Sequence, residues 1–247
     1  MIRWLDEGIV LSARPLGERR LIAILLTQEH GIHRGVFRAT KATQSLLEPG
    51  THVSCRWFAR LEEQLGTWTL EPIYSPIAYV LNQRCALTAL NAATSLSLAC
   101  LPEREAAPRV FAALLNLVTH FHDAILWPAL YVLFEIMVLE HAGIRLDLAR
   151  CAATGSTDDL IYVSPRTGRA VSRDAGIPYQ DKLLPLPPFL TPGSDLKIIA
   201  MQDILAGLAL TGYFLSGVVL GPHDLEMPPA RPRLLKELQR ECPSTIK

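Results

Sequence analysis

MIRWLDEGIVLSARPLGERRLIAILLTQEHGIHRGVFRATK, residues 1–41, is the stretch whose reading decides the fold. Its apolar residues recur with a period near two, so Trp4 to Ala13 reads as one strand and Arg14-Pro15-Leu16-Gly17 as a turn. Arg19 to Thr27 then reads as a second strand, Glu29-His30-Gly31 as a second turn, and Ile32 to Ala39 as a third strand with Ile32, Arg34, Val36 and Arg38 on one face. Strands at hairpin spacing need further partners. His52 to Leu61 and Gly66 to Tyr74, separated by the turn-like Glu62 to Leu65, are the candidates. Five short strands at the start of the chain predict a small closed barrel, which leaves no exposed edge.

The same stretch opens a basic patch. Arg14, Arg19, Arg20, Arg34, Arg38 and Lys41 belong to it, and Arg56 and Arg60 join from a later strand. Such a surface can hold a phosphate backbone while Phe58 or Trp68 stacks on bases. The alternative is that the arginines only solvate the sheet and the aromatic rings are core. Lys41 to Gly50 reads as a loop, closed by the turn signal Pro49-Gly50.

Working outward, the composition sets limits. The chain has 247 residues of which 49% are hydrophobic, enough for a sizeable core, which argues against disorder. Basic and acidic residues both number 24, and with zero net charge any nucleic-acid affinity must come from a local patch. Cys55, Cys85, Cys100, Cys151 and Cys242 are odd in number and contain no C-x-x-C. With a start that lacks a basic leader and an apolar h-region, they favour a reducing, cytoplasmic compartment. Two uncharged runs, Cys85 to Leu101 and Ile204 to Leu220, fall short of the roughly 20 residues a bilayer needs and read as core helices.

After Pro72 and Pro76 the period shifts towards 3.6. Helices are expected over Val80 to Cys100, Pro108 to about Phe121, and Ala129 to His141. His120, His122, Asp123, Glu135, Glu140 and His141 lack the spacing of a helical metal site, and no catalytic role is assigned to them. Arg150 to Gly176 reads as a hairpin knob around Pro165 to Gly168, and Ile177 to Pro192 as a proline-rich strap. More core helix follows from Leu196 to about Leu220. A short charged helix, Arg233 to Arg240, would dock Leu234, Leu235 and Leu238 while Arg231, Arg233, Lys236 and Arg240 face water or DNA. The chain has no G-x-G-x-x-G, Walker-type or G-x-S-x-G motif, which favours a binding protein over an enzyme. A protein-interaction scaffold and, less favoured, an enzyme with a spatially assembled site remain as alternatives.

Several pieces, in this order and spacing, resemble the RecO family of bacterial recombination mediators. They are Glu7-Gly8-Ile9-Val10-Leu11 with Arg14 and Gly17-Glu18, Leu25-Leu26-Thr27 through His30-Gly31, and Gly35-Val36 with the basic arm to Lys41. Tyr162-Val163-Ser164-Pro165, Gly168-Arg169-Ala170-Val171 and Leu184-Pro185-Leu186-Pro187 complete the set. The resemblance implies an α+β protein: an OB-type five-stranded barrel over residues 1–78 and a mostly helical domain over 79–247 that carries the knob at 150–176. It also implies binding of single- and double-stranded DNA, annealing of complementary strands, and work with RecR to load RecA onto DNA coated by single-strand binding protein, whose C-terminal tail the helical domain would receive. Members of the family often carry two C-x-x-C pairs around the knob. Here Cys151 stands at the first position and Thr154, Ser172 and Ala175 at the other three, which argues against bound zinc and leaves no cofactor expected.

Overall fold

The computed structural model describes residues 1–17, 20–40, 43–61, 64–196 and 199–241. The N-terminal unit is built from β1 (Ile2–Pro15), β2 (Arg20–Thr27), β3 (Gly31–Arg38), β4 (His52–Ala59) and β5 (Gly66–Tyr74), hydrogen-bonded in the order β1-β2-β3-β5-β4 with β4 returning to β1. The long β1 serves two neighbours: Ile2 to Ile9 pair with β4 and Gly8 to Pro15 with β2, with a register shift between Val10 and Ser12.

The regular closed barrel expected from the sequence does not form. β3 and β5 meet in parallel through only two pairs, Gly35 with Gly66 and Val36 with Thr67, while the other junctions are long antiparallel ladders. The hydrogen-bond ring is therefore not spread evenly round one axis, and the unit is a strongly curled five-stranded sheet. The reason lies at the base of β3, where the edge is taken by another segment. The Arg104 N–H donates to the Ile32 carbonyl at 2.9 Å, and Glu103 bridges Ile32 in parallel, so β5 can engage β3 only beyond that point. Gly31 has φ +71° there, and a Cβ on it would lie 1.9 Å from the Glu105 carbonyl oxygen.

Both faces of β1 to β3 are used. Val10, Ala23, Leu25 and Phe37 point inward with Val53, Trp57, Trp68 and Leu70. Ile9, Leu11, Ile24, Leu26 and Ile32 point outward into the helical core, so one apolar cluster runs from the sheet into the helices.

The helical part follows α1 (Ile77–Val80), a single turn. α2 (Arg84–Cys100), α3 (Pro108–Thr119) and α4 (Trp127–His141) come next. The first full helix thus begins at Arg84 rather than Val80, because Leu81 to Gln83 form a break. Pro108 and Pro128 sit in the first turns of their helices, where a missing N–H loses no bond. The knob differs from the expected hairpin. β6 (Leu160–Val163) pairs with β7 (Ala170–Ser172) and also with β8 (Leu184–Pro185), which the strap brings back as a third strand after the single turn α5 (Arg173–Gly176). Cys151, Leu160, Val163 and Ala170 tie this small sheet into the helical core.

α6 (Met201–Phe214) continues through a π-helical turn to Leu220 and a 3-10 turn to His223. Met201–His223 is long and apolar enough to cross a membrane by length and composition, yet Ile204, Leu208, Leu210, Phe214 and Leu215 are buried in the core. α7 (Ala230–Glu241) packs chiefly on α2 through Leu234 and Leu238. Arg231 corrects the expectation that it faces water or DNA. It is 6% exposed and donates from Nε (2.7 Å) and Nη2 (2.9 Å) to the carboxylate of the fully buried Glu135.

Candidate nucleic-acid interface

The short parallel seam between β3 and β5 organises the outer face of the sheet. On the inner side both partners are glycines because two indoles pass beneath them. A Cβ on Gly35 would lie 2.7 Å from Trp68 Cδ1, and one on Gly66 would lie 2.1 Å from Trp57 Cε2. Trp57 Nε1 donates to the Arg34 carbonyl at 3.0 Å and Trp68 Nε1 to the Ala23 carbonyl at 3.1 Å. The tryptophans therefore brace β2 and β3 from inside. Trp68 is 3% exposed, which overturns its assignment as a base-stacking ring, whereas Phe58 is 38% exposed.

On the outer side the registers align one row across the seam. Thr67 pairs with Val36, Phe58 with Thr67, and Ile22 with Val36, with Arg3 beside Phe58 and Arg14 beside Ile22 at the flanks. Two residues along the same faces stand Arg56 on β4 and Arg34 and Arg38 on β3, and Arg60 lies just past the end of β4. Neighbouring strands are about 4.8 Å apart, so these guanidinium groups border one continuous surface with Phe58 and Thr67 at its centre. Arg20 and Arg38 are direct cross-strand partners. Like charges so placed repel, and an anion between them offsets that repulsion.

Arg3, Arg14, Arg20, Arg38, Arg56 and Arg60 are all exposed, and among the described residues none has a carboxylate within ion-pair distance. Arg34 differs, being ion-paired with Glu103. Of the residues expected from the sequence, Arg14, Arg20, Arg34, Arg38, Arg56 and Arg60 fall on this surface, whereas Arg19 and Lys41 lie outside the described residues. Arg3 was missed. Its signal was its alternation with Trp4, since a residue flanking an inward ring on a strand points outward.

Inside the mouth of the sheet, Trp4 stacks on His30 with centroids 4.0 Å apart and meets the edge of His33 at 5.0 Å. Asp6 accepts from His30 Nδ1 at 2.9 Å and the Glu29 N–H at 3.0 Å. Burial, with the charge of Arg104 adding to it, pushes His33 down to about 4, so it is neutral at pH 7.

In the helical part a cleft of about 300 Å3 lies between the start of α3 and the end of α4. Ala107, Val110 and Met137 contribute apolar walls, while Arg109 and Arg145 stand at its rim and share the Glu140 carboxylate.

The knob does not fit a metal. Its four family positions offer one sulfur, two hydroxyls and a methyl group, and the sulfur is already engaged: Ser172 donates to Cys151 Sγ from both its N–H and its hydroxyl at 3.3 Å. Burial raises the Cys151 thiol, but hydrogen bonds from Ser172 and Thr154 outweigh it and bring the thiol down to about 6. Among the described residues no group of three or more His, Cys, Asp or Glu side chains is placed to hold a metal ion.

Comparison with known proteins agrees along the chain. Residues 1–76 match the family model described as "Recombination protein O N terminal", and residues 82–224 match "Recombination protein O C terminal". The chain is 47% identical to a DNA repair protein RecO of Caulobacter vibrioides over 239 residues, covering 96% of this chain and 95% of that one. It is 45% identical to the RecO protein of Rhodospirillum centenum over 243 residues, 97% of this chain and 96% of the relative. It is 42% identical to that of a Chelativorans species over 247 residues, 98% of each.

Proposed function

The chain belongs to the RecO family of DNA repair and recombination proteins, and from that premise we propose that the outer face of its curled sheet is where it holds DNA. Its role is that of a recombination mediator that brings complementary single strands together. The observation that carries the surface assignment is the set of exposed arginines around the β3–β5 seam, none but Arg34 neutralised by a carboxylate among the described residues.

The mechanism is electrostatic and needs no covalent step. Two strands repel through their phosphates, and arginines that displace condensed counterions lower the barrier to pairing. Phe58 in the centre of the row offers a ring on which a base can stack without sequence preference. The division at about residue 78, the partnership with RecR in loading RecA, and a cytoplasmic location belong to the same proposal. So does capture of the C-terminal tail of single-strand binding protein. The cleft beside Arg109 and Arg145 supports the last of these, because apolar walls with two guanidinium groups at the rim suit an acidic chain end with an apolar residue.

The test is fluorescence anisotropy with a single-stranded oligonucleotide across a salt series. Replacing Arg20, Arg38 and Arg56 together by alanine is expected to weaken binding and to reduce the slope of log K against log salt by about 2, given roughly 0.7 per lost phosphate contact. An unchanged slope and affinity would refute the surface.

A further inference from the structure

We propose that the exposed face of α7, together with Arg84 at the start of α2, is a second surface for a phosphodiester backbone, so that one chain holds two strands at once. The proposal rests on the reading of the protein as a DNA binder but not on the sheet face.

α7 is amphipathic in a particular way. Leu234 and Leu238 are buried against α2, while Arg233, Lys236 and Arg240 recur at i, i+3 and i+7 on the exposed side. At 1.5 Å per residue this row extends about 10 Å along the helix. The exposed Arg84 faces it across a cavity of about 350 Å3, with Pro229 and Pro232 in the wall. Glu237 also lines the cavity, but it is buried and accepts from Arg84 Nε at 2.9 Å. Its burial keeps it from swinging out to neutralise the other cations. Four cations against one carboxylate leave the cavity with a net charge of +3.

A merely solvated helix face would interleave acids with these bases, because like charges three and four residues apart weaken a helix. Here Arg233 and Lys236 are three apart and Lys236 and Arg240 four apart, with no carboxylate ion-paired to any of them among the described residues. The chemistry favours a backbone over a peptide. The cavity wall is formed by charged side chains and proline rings, without the apolar floor that an acidic chain end needs and that the Arg109 cleft possesses. A row of point cations matches a row of point anions.

The helix is held where this requires. The buried Arg231–Glu135 pair clamps its first turn to α4, and Gly212 of α6 admits the guanidinium, since a Cβ there would lie 2.8 Å from Arg231 Nη1. The cationic face is thus displayed on a fixed element.

The experiment uses the full chain and two complementary oligonucleotides carrying a donor and an acceptor dye. The R233A/K236A/R240A variant is expected to bind the first strand within about twofold of the parent and to anneal the second at least about tenfold more slowly, with a shallower salt dependence of annealing. R233K/R240K is expected to anneal like the parent, since it keeps the charge. The single reversal K236E, which removes no buried atom, guards against a folding failure of the triple variant and is expected to slow annealing in the same direction. Parental annealing by both R233A/K236A/R240A and K236E overturns the proposal. So does loss, in those variants, of binding to a labelled acidic peptide with DNA behaviour intact. A sheet variant R20A/R38A/R56A that keeps first-strand binding would instead defeat the sheet assignment and leave this one standing.

Discussion

Replacing Arg231 by methionine is expected to destabilise the protein by about 3–5 kcal/mol, the loss found when one partner of a buried ion pair is removed. The structure puts this site at the severe end. Glu135 is fully buried, and Arg231 gives it two hydrogen bonds at 2.7 and 2.9 Å while also donating to the Leu208 carbonyl at 2.7 Å. Thr211 also donates to the carboxylate. Without the guanidinium, Glu135 must either stay charged in an apolar interior or take up a proton, and the Leu208 carbonyl loses a donor. For a chain of this size each kcal/mol moves the melting temperature by about 2–4 °C, so a fall of roughly 6–20 °C is expected by calorimetry or far-ultraviolet circular dichroism. The double variant Glu135→Leu/Arg231→Met leaves no orphaned charge and should recover most of that loss. A single variant that melts within about 2 °C of the parent, or a double variant as unstable as the single one, would refute the reasoning.

Other consequences can be measured in parallel. Phe58→Ala should weaken single-strand binding by about 1–3 kcal/mol, the usual range for one stacked base, while leaving the salt slope unchanged; a changed slope with unchanged affinity would contradict a stacking role. Gly66→Ala places a methyl group 2.1 Å from the Trp57 ring, so it should spring the β3–β5 seam, quench or shift tryptophan emission and lower DNA affinity together; a parental emission spectrum would show that the seam tolerates it. Cys151 should titrate as a thiolate near pH 6, read by its ultraviolet absorbance. Its folded value lies below the ordinary 9.0, so its contribution to stability is fully present above about pH 9 and is lost as pH falls through about 6; Cys151→Ala should flatten that dependence.

Much of the sheet could be read from local pattern. Ile22 to Leu26 is an unbroken apolar run between turn signals, the pattern of a strand buried on both faces, because successive side chains must point to opposite faces. Pro108 and Pro128 likewise mark helix starts through their own covalent geometry. What failed depended on distant partners. Trp68 and Phe58 are both aromatic residues on strands, and only the curl of the sheet decides that one ring fills the interior while the other meets solvent. Arg231 and Arg233 are two residues apart on one helix, yet the first is buried because a carboxylate nearly one hundred positions earlier waits in the core.

Sequence by itself determined the five opening strands, the helix starts at Pro108 and Pro128, the basic character of the opening stretch and the degenerate cysteine pattern of the knob, since each rests on covalent geometry or on residue identity. Tertiary structure decided the rest. It set the two-pair seam, because the Arg104 segment reaches the edge of β3 first, and it added the third strand of the knob, because the strap after α5 returns to β6. It also gathered arginines from β2, β3 and β4 onto one face, which follows from strand register and from two indoles that lock that register from within.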